Sequence, residues 1–241
     1  MASQATGENK IETGLVIYEG PDAVTDANVT EARLTRNQFV WVPVDVPEGK
    51  TFEDVFVREK GYQSGELQDY ELSYSEPLKI DGYTSEEEEY NAMVASVKKY
   101  GGFYIARYEA SKKIVNGVEI AQSVQNVVPW SNIAWGESMD DPGNNGAVAK
   151  ARAVYPALSA SQGEAISTLI YGVQWDATVR FLEKNYNGIA QDSSGKGNYT
   201  YKIINTGDPI HPDYMLNNIY DLAGNLNEIT MEVDVTGREW L

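Results

Sequence analysis

The residue types that carry most protein chemistry are scarce in this chain. Its 241 residues include no cysteine and one histidine, which excludes disulfides, thiolate nucleophiles, cysteine-ligated metals and histidine clusters. The histidine, His211, stands in the sequence DPIHP, where the prolines favour a turn residue over the base of a Ser-His-Asp triad. No glycine motif for phosphate or dinucleotide binding occurs. Carboxylates are so abundant that no single pair can be chosen for glycoside hydrolysis.

The net charge and the hydropathy of the chain limit the classes of partner that it is expected to bind. With 36 acidic and 19 basic residues the formal net charge is −17, which repels nucleic acid and anionic lipid. We therefore expect no nucleic-acid binding, and we interpret the acidity mainly as a source of solubility. No apolar run of about 18 residues occurs, so we expect no direct membrane insertion. The polar start, MASQATGENKIETG, fits a chain without a secretory signal and equally a junction that replaces a removed targeting segment.

Hydrophobic periodicity predicts a mixture of short strands and helices. Strands are predicted at Leu15–Tyr18, Phe39–Val44, Phe103–Glu109 and Ile166–Ile170. Helices are predicted from a capping box at Ser85 and Glu88 to Tyr100, from an N-cap at Ser131 through Trp135, over Ala147–Tyr155, and from Gly172 to near Asn185. The dipeptide Asn116-Gly117 predicts a hairpin turn.

The remaining segments define the expected domain organisation. Residues 1–13 are polar and are expected to fray, while 45–83 and 187–200 are expected to form irregular surface structure. Pro43 places its strand at a sheet edge or at the end of the strand itself. We predict an N-terminal extension with a short strand over residues 1–36, followed by one domain over 37–241.

Five stretches in one order resemble a known family. The last is Asn218–Glu228, which reads NIYDLAGNLNE, and the others are Phe39–Val44, Gly102–Glu109, Pro129–Ser131 and Ile170–Asp176. Together they resemble the formylglycine-generating-enzyme-like (sulfatase-modifying factor) branch of the C-type lectin fold. The chain is similar to its cysteine-free subgroup, which includes variable proteins of diversity-generating retroelements and surface proteins of phages and pili.

That resemblance implies an α+β, C-type-lectin-like fold with small antiparallel sheets, two main helices and much irregular loop. The sequence stops at Leu241, before the R-G-G turn and final strand of the family, so a C-terminal strand pair is expected to be missing. Either the chain is truncated, or a partner chain completes the strands by augmentation. Asn227 and Ile229 replace the tryptophans of the family's W-E-W motif, which either enlarges the site or alters how the segment packs.

The family's catalytic chemistry does not carry over to this sequence. Its oxidases use two cysteines and copper, and the sulfoxide synthases of this fold use several histidines, so we expect no enzyme; an unrecognised hydrolase is the catalytic alternative. The resemblance does imply calcium, through Asn225, the Leu226 carbonyl and Glu228 at the matching positions of the family's site. The alternative is that Asn225 serves a turn and Glu228 accepts buried hydrogen bonds.

Ligand binding is the function that these observations favour. The chain has 16 tyrosines and five tryptophans, side chains that suit recognition surfaces. Those expected nearest a ligand face are Trp130, Trp135, Tyr214 and Asn227. We predict a non-catalytic module that binds a protein or glycan outside the cell, on a bacterial surface, pilus or phage particle. The alternative is a structural virion or pilus subunit whose incomplete domain another chain completes.

Overall fold

The computed structural model describes residues 1–58, 61–63, 66–68, 86–136, 146–155, 165–200 and 202–231. Over these residues the protein is a mixed α+β structure with small antiparallel sheets and few helices. The chain divides into two compact units of three segments each. Unit 1 comprises Met1–Pro43, Gly102–Ser131 and Thr178–Asn227, and unit 2 comprises Val44–Gly101, Asn132–Ala177 and Glu228–Leu241.

The elements are numbered in chain order. The described strands are β1 (Val16–Tyr18), β2 (Gln38–Pro43), β3 (Gly61–Gln63), β4 (Glu66–Gln68), β5 (Gly102–Ala106), β6 (Ser111–Val115), β7 (Val118–Gln122), β8 (Met215–Leu216) and β9 (Ile219–Tyr220). The described helices are α1 (Val29–Thr35), α2 (Phe52–Val55), α3 (Glu86–Tyr100), α4 (Gly146–Arg152) and α5 (Gly172–Glu183). Single 3-10 turns occur at Ile11–Thr13 and Pro212–Tyr214. None of the described helices is long and apolar enough to cross a membrane.

A three-stranded antiparallel sheet, ordered β1-β2-β5, forms the centre of unit 1. Alternate side chains of β2 are buried, as expected for a strand with one face on a core. Pro43 is the last residue of β2, one of its two predicted positions. It pairs with Gly102, where a Cβ would lie 2.4 Å from the carbonyl oxygen of Val42. This close approach requires glycine at the start of β5.

The hairpin of β6 and β7 confirms the prediction made from Asn116-Gly117. Its strands pair from Ser111 and Gln122 to Val115 and Val118. Both turn residues have positive φ, 51° at Asn116 and 81° at Gly117. Two positive φ angles are the requirement of the turn type that matches the twist of a two-residue hairpin.

Two predicted elements are wrong. Ser131–Gly136 is not helical, because the carbonyls of Ala134 and Trp135 accept hydrogen bonds from Ala147 and Val148 at the start of α4. Ile166–Ile170 is not a strand; its amide at Ser167 and its carbonyl at Ile170 each bond a different segment, so no ladder forms. The helix predicted over Ala147–Tyr155 ends earlier, at Arg152. Ser85 and the chain beyond Met231, including the end at Leu241, lie outside the described residues.

The first residues are packed rather than frayed, which corrects the expectation for residues 1–13. Ser3, Ala5 and Glu8 are buried, and the Ser3 amide donates to the Val16 carbonyl at 2.7 Å. The segment therefore belongs to the core of unit 1.

A buried ion pair joins this segment to the central sheet. Glu8 and Arg107 are each 1% exposed, and Arg107 Nη1 donates to Glu8 Oε1 at 2.7 Å. Arg33 Nη2 reaches the same oxygen at 2.6 Å, while Glu8 Oε2 accepts from the hydroxyls of Ser3 and Tyr18, each at 2.9 Å. Although burial alone would raise the pKa of Glu8, the two guanidinium groups hold it below its ordinary value. The carboxylate is thus fully compensated, as a buried charge must be.

Unit 2 has its own buried carboxylate. Glu89 of α3 accepts hydrogen bonds from the guanidinium of Arg152 in α4 and, at 3.1 Å, from the hydroxyl of Tyr171 just before α5. The rings of Tyr90 and Tyr171 meet edge to face, with centroids 5.3 Å apart. One carboxylate therefore fixes the positions of three helices.

The Glu8 ion pair yields a stability prediction. Glu8→Ala leaves the buried guanidinium of Arg107 without its carboxylate, and we expect a loss of about 3–5 kcal/mol in the free energy of unfolding. Glu12→Ala removes an exposed carboxylate of the same segment and should cost less than about 0.5 kcal/mol. Denaturant unfolding of both variants measures the difference. Equal stabilities would contradict the assignment of residues 1–13 to the core.

Candidate functional site

Many side-chain hydrogen bonds of unit 1 lie in the segment from Asn198 to Leu226, called here the 198–226 segment; Tyr201 within it is not described. Among its described residues, regular structure is limited to the 3-10 turn and the short β8–β9 hairpin. Four of its non-glycine residues have positive φ: Asn217, Asn218, Asp221 and Asn225. Asparagine and aspartate tolerate this conformation best among non-glycine residues. Side-chain hydrogen bonds, together with backbone bonds such as that from the Tyr220 amide to the Arg107 carbonyl, hold this irregular shape.

Two asparagines fasten the ends of the segment together. The Asn225 amide donates to the Asn198 carbonyl at 2.7 Å, and Asn198 Nδ2 donates to Asn225 Oδ1 at 3.0 Å. Asn198 Nδ2 also reaches the Lys202 carbonyl at 2.8 Å, and the Ile204 amide donates to Asn225 Oδ1 at 3.0 Å. Asn198 is buried, so breaking these bonds would leave unpaired polar groups in the interior.

A first carboxyl latch fixes the segment to the chain that follows β5. Glu109 Oε2 accepts from Asn225 Nδ2 at 2.5 Å, and Glu109 Oε1 accepts from the Leu226 amide at 3.1 Å. Each carboxyl oxygen of Glu109 therefore binds a different residue at the end of the segment.

A second carboxyl latch acts within the segment. Asp221 Oδ2 accepts from Thr206 Oγ1 at 3.0 Å and from the Gly207 amide at 2.8 Å. Thr206 Oγ1 also accepts from the Glu109 amide at 3.0 Å, which links the two latches. Gly207 has φ +62°, and a Cβ there would lie 2.3 Å from the Tyr108 ring, so only glycine fits at this position.

The two latches influence each other electrostatically. Burial, as the largest cause, and the nearby charge of Asp221 raise the pKa of Glu109 to about 8, against two hydrogen bonds that lower it. Burial also raises the pKa of Asp221, while the hydrogen bonds from Gly207 and Thr206 and the charge of His211 lower it. Glu109 is therefore largely protonated at neutral pH. Carboxyls with perturbed pKa values mark functional sites or structural networks; here both are occupied in holding the chain.

A pH-dependent stability follows for Glu109. The folded state keeps its proton up to pH of about 8, whereas the unfolded chain releases it near the ordinary value of 4.5. The resulting stabilisation is complete below that ordinary value and is lost as pH rises through 8. Glu109→Gln removes this titration, so its stability relative to the wild type should rise between pH 5 and 8 by up to about 1.4 kcal/mol per pH unit.

Denaturant unfolding across that pH range measures the effect. Glu31→Gln, at an exposed position of α1, is the matched control and should follow the wild-type profile. A Glu109→Gln profile parallel to the wild type would show that Glu109 does not hold its proton in the folded state.

The predicted ligand-face residues fall in different surroundings. Trp130 is half-buried beside Lys112, whose Nζ lies 4.9 Å from the ring centroid. Tyr214 stacks on His211 with ring centroids 4.9 Å apart, and Asn227 is exposed. These three belong to unit 1. Trp135 belongs to unit 2, is only 8% exposed, and donates from Nε1 to the Thr230 carbonyl at 2.8 Å, which is the environment of a packing residue.

The residues predicted to bind calcium can be compared with the requirements of a cation. Both lone pairs of Asn225 Oδ1 accept hydrogen bonds, from Asn198 and Ile204, so a cation would have to replace one of them. Among the described residues, no group of three histidine, aspartate or glutamate side chains could hold a metal ion. Calcium binding through Asn225, Leu226 and Glu228 therefore stays an untested prediction.

Three residues central to the site were absent from the sequence predictions: Glu109, Asn198 and Asp221. Glu109 and Asp221 lie inside two of the motif stretches, and this position in the motifs is the signal that could have identified them. Their hydrogen-bond partners are distant in sequence: Asn225 is 116 residues from Glu109, and Thr206 is 15 residues from Asp221. Asn198 stands in a stretch predicted only as an exposed loop, yet it is buried.

Comparison of the chain with protein families, with curated proteins and with solved structures finds no match.

Proposed function

We propose that this protein is a non-catalytic binding module with a C-type-lectin-like fold, displayed outside the cell on a bacterial surface, pilus or phage particle. Its ligand is a protein or a glycan, and the binding surface is the 198–226 segment. The observation that carries the proposal is that this irregular segment is held in one conformation by internal latches while it exposes apolar side chains.

The exposed side chains supply the contact area. Tyr199, Ile203 and Ile210 are all among the exposed large hydrophobic residues. Because the segment is already ordered by the hydrogen bonds of Glu109 and Asp221, binding loses less conformational entropy than it would on a mobile loop. Binding residues are often carried on loops that a rigid scaffold holds in position.

The distribution of charge favours the same surface. Unit 1 holds 10 of the 19 basic and 13 of the 36 acidic residues, a net charge of −3, while unit 2 holds 9 and 23, a net charge of −14. The acidity of the chain is therefore concentrated in unit 2. A ligand that approaches unit 1 meets charges of both signs, which suits specific contacts better than a field of one sign.

The sequence resemblance gives further support, because the cysteine-free relatives it points to are surface and receptor-binding proteins. Fold alone does not assign function. The main support for the proposed binding function is therefore the 198–226 segment. In this protein the carboxyls with raised pKa values serve the segment's shape, and this is the role that a binding module requires of them.

Binding can be measured with the fluorescently labelled chain on a glycan microarray and, by flow cytometry, on a panel of bacterial and epithelial cells. We expect saturable binding to at least one of these targets. The triple variant Tyr199→Ser/Ile203→Ser/Ile210→Ser should weaken that binding at least tenfold, the loss expected from about 1.4 kcal/mol of apolar contact.

The control is Ile114→Ser/Val118→Ser, which removes two similarly exposed aliphatic side chains from the β6–β7 hairpin of the same unit. It should bind like the wild type. Absence of saturable binding to every target, or equal losses in both variants, would overturn the proposal.

A further inference from the structure

The single histidine of the chain, His211, lies in the turn from Asp208 to Tyr214, called here the 208–214 turn. Its side chain is 35% exposed, but its Nδ1 atom is buried and makes no hydrogen bond within the described part of the chain. A buried polar atom without a hydrogen bond costs free energy. Imidazole is also the side chain that ordinarily gains or loses its proton between about pH 5 and 8, so the groups around this nitrogen decide what that proton does.

A carboxylate of the same turn faces this nitrogen. Asp208 Oδ2 lies 3.5 Å from His211 Nδ1, while Asp208 Oδ1 accepts from the Ile210 amide at 3.0 Å. The His211 amide also donates to the Asp208 carbonyl at 3.0 Å, so the backbone of the turn keeps the two residues together. A charge-assisted bond from nitrogen to a carboxylate is about 2.7–2.9 Å long. The pair can therefore close further when the imidazole carries a proton on Nδ1.

Tyr214 connects the imidazole to the second latch. The two rings lie parallel within 2°, with centroids 4.9 Å apart, and the Tyr214 amide donates to the His211 carbonyl at 3.2 Å. The Tyr214 carbonyl in turn accepts from the Asp221 amide at 3.1 Å. In the described structure the titratable groups that face the imidazole are thus Asp208 and Tyr214 of its own turn and Asp221 beside β9.

Asp221 is a buried carboxyl that responds to the charge of His211. It is 1% exposed, and burial is the largest cause that raises its pKa. The charge of Asp208 raises that pKa further, whereas the hydrogen bonds from Gly207 and Thr206 and the charge of His211 lower it. A protonated His211 therefore compensates two carboxylates that repel each other. It also favours the ionised form of Asp221, which is the stronger hydrogen-bond acceptor.

We propose that His211 is a proton-sensitive switch of the 198–226 segment. At mildly acidic pH the imidazolium closes on Asp208 and strengthens the hold of Asp221 on Thr206 and Gly207. At neutral pH and above, the uncharged imidazole loses both effects, and the base of the turn opens more often. This inference goes beyond the proposed function, because it concerns the free protein and does not depend on which ligand the segment binds.

Hydrogen exchange at the Gly207 amide measures the strength of the second latch, because this amide donates to Asp221 Oδ2 at 2.8 Å. Its protection factor, which corrects for the intrinsic effect of pH on exchange, should fall about threefold between about pH 5.5 and about pH 7.5, as expected for a partly exposed ion pair. The Ser123 amide of the same unit donates to the uncharged Asn37 Oδ1 at 2.9 Å. As the internal control, Ser123 should keep its protection over this range.

Two variants assign the effect to the histidine. Glu109→Gln removes the neighbouring carboxyl whose pKa is raised to about 8, and the fall in Gly207 protection should remain. Adding His211→Gln to Glu109→Gln should abolish the fall and leave Gly207 at its weaker, neutral-pH protection throughout.

Nuclear magnetic resonance follows the proton itself, since a single histidine gives one set of ring signals. The midpoint of their shift with pH should coincide with that of the change at Gly207. Asp208→Asn keeps an oxygen acceptor for the Ile210 amide but removes the charge, and should move this midpoint to lower pH by about 0.5 pH unit. Asp213→Asn removes an exposed carboxylate from the same turn and should move it by less than about 0.2 pH unit.

Three results would overturn the switch. They are a Gly207 protection in Glu109→Gln that does not change with pH, an unchanged pH dependence after His211→Gln, and a ring-signal midpoint that Asp208→Asn leaves in place. The last measurement does not require the His211 variant to fold. The proposed function is decided separately by the binding measurements, because a segment without this switch can still bind a ligand.

Discussion

The ion pair between Glu8 and Arg107 is the interaction on which the structure of unit 1 depends. Arg107 stands directly after β5, and its side chain meets Glu8 from the first segment, the Tyr18 hydroxyl from β1 and the Gln38 amide oxygen from β2. Its backbone carbonyl also accepts from the Tyr220 amide of β9 at 2.8 Å. A buried guanidinium is costly unless every charge around it is placed correctly. The elements that meet at Arg107 are therefore fixed in relation to one another.

A different kind of carboxyl contact, to neutral amide donors, lies two residues later at the proposed binding surface. Glu109 follows Arg107 on the chain and uses its carboxyl to hold Asn225 and Leu226, while Asp221 holds Thr206 and Gly207. Arg107 and Glu109 thus connect the central sheet to the 198–226 segment through adjacent stretches of backbone. The 198–226 segment has little regular secondary structure, and these contacts attach it to the packed core.

Local signals in the sequence were sufficient for some elements. The Asn116-Gly117 turn, the apolar pattern of α5 and the alternation of β2 each depend on neighbouring residues, and each prediction agrees with the structure. The first 13 residues were misjudged because Glu8 is polar, and its burial depends on Arg107, 99 residues away. Ile166–Ile170 looked like a strand because apolar composition does not reveal whether a pairing partner exists.

The candidate site, too, could be predicted from local sequence signals only in part. Asn225 could be identified from its motif, but the latch residue Glu109 lies 116 residues from it, and the buried Asn198 looked like one polar loop residue among many. Side-chain hydrogen bonds over such separations leave no periodic trace in the sequence. Burial is a further property that the sequence does not give, because Trp135 is 8% exposed in unit 2, whereas Trp130 is half-buried in unit 1.

We propose that its latches order the 198–226 segment in the free protein, and amide hydrogen exchange tests this most directly. The amides of Ile204, Gly207 and Leu226 donate to the side chains of Asn225, Asp221 and Glu109. We predict that these three amides exchange slowly in the free protein, with protection close to that of β2 and β5. Exchange at the rate of an unstructured peptide, while β2 and β5 remain protected, would contradict the account.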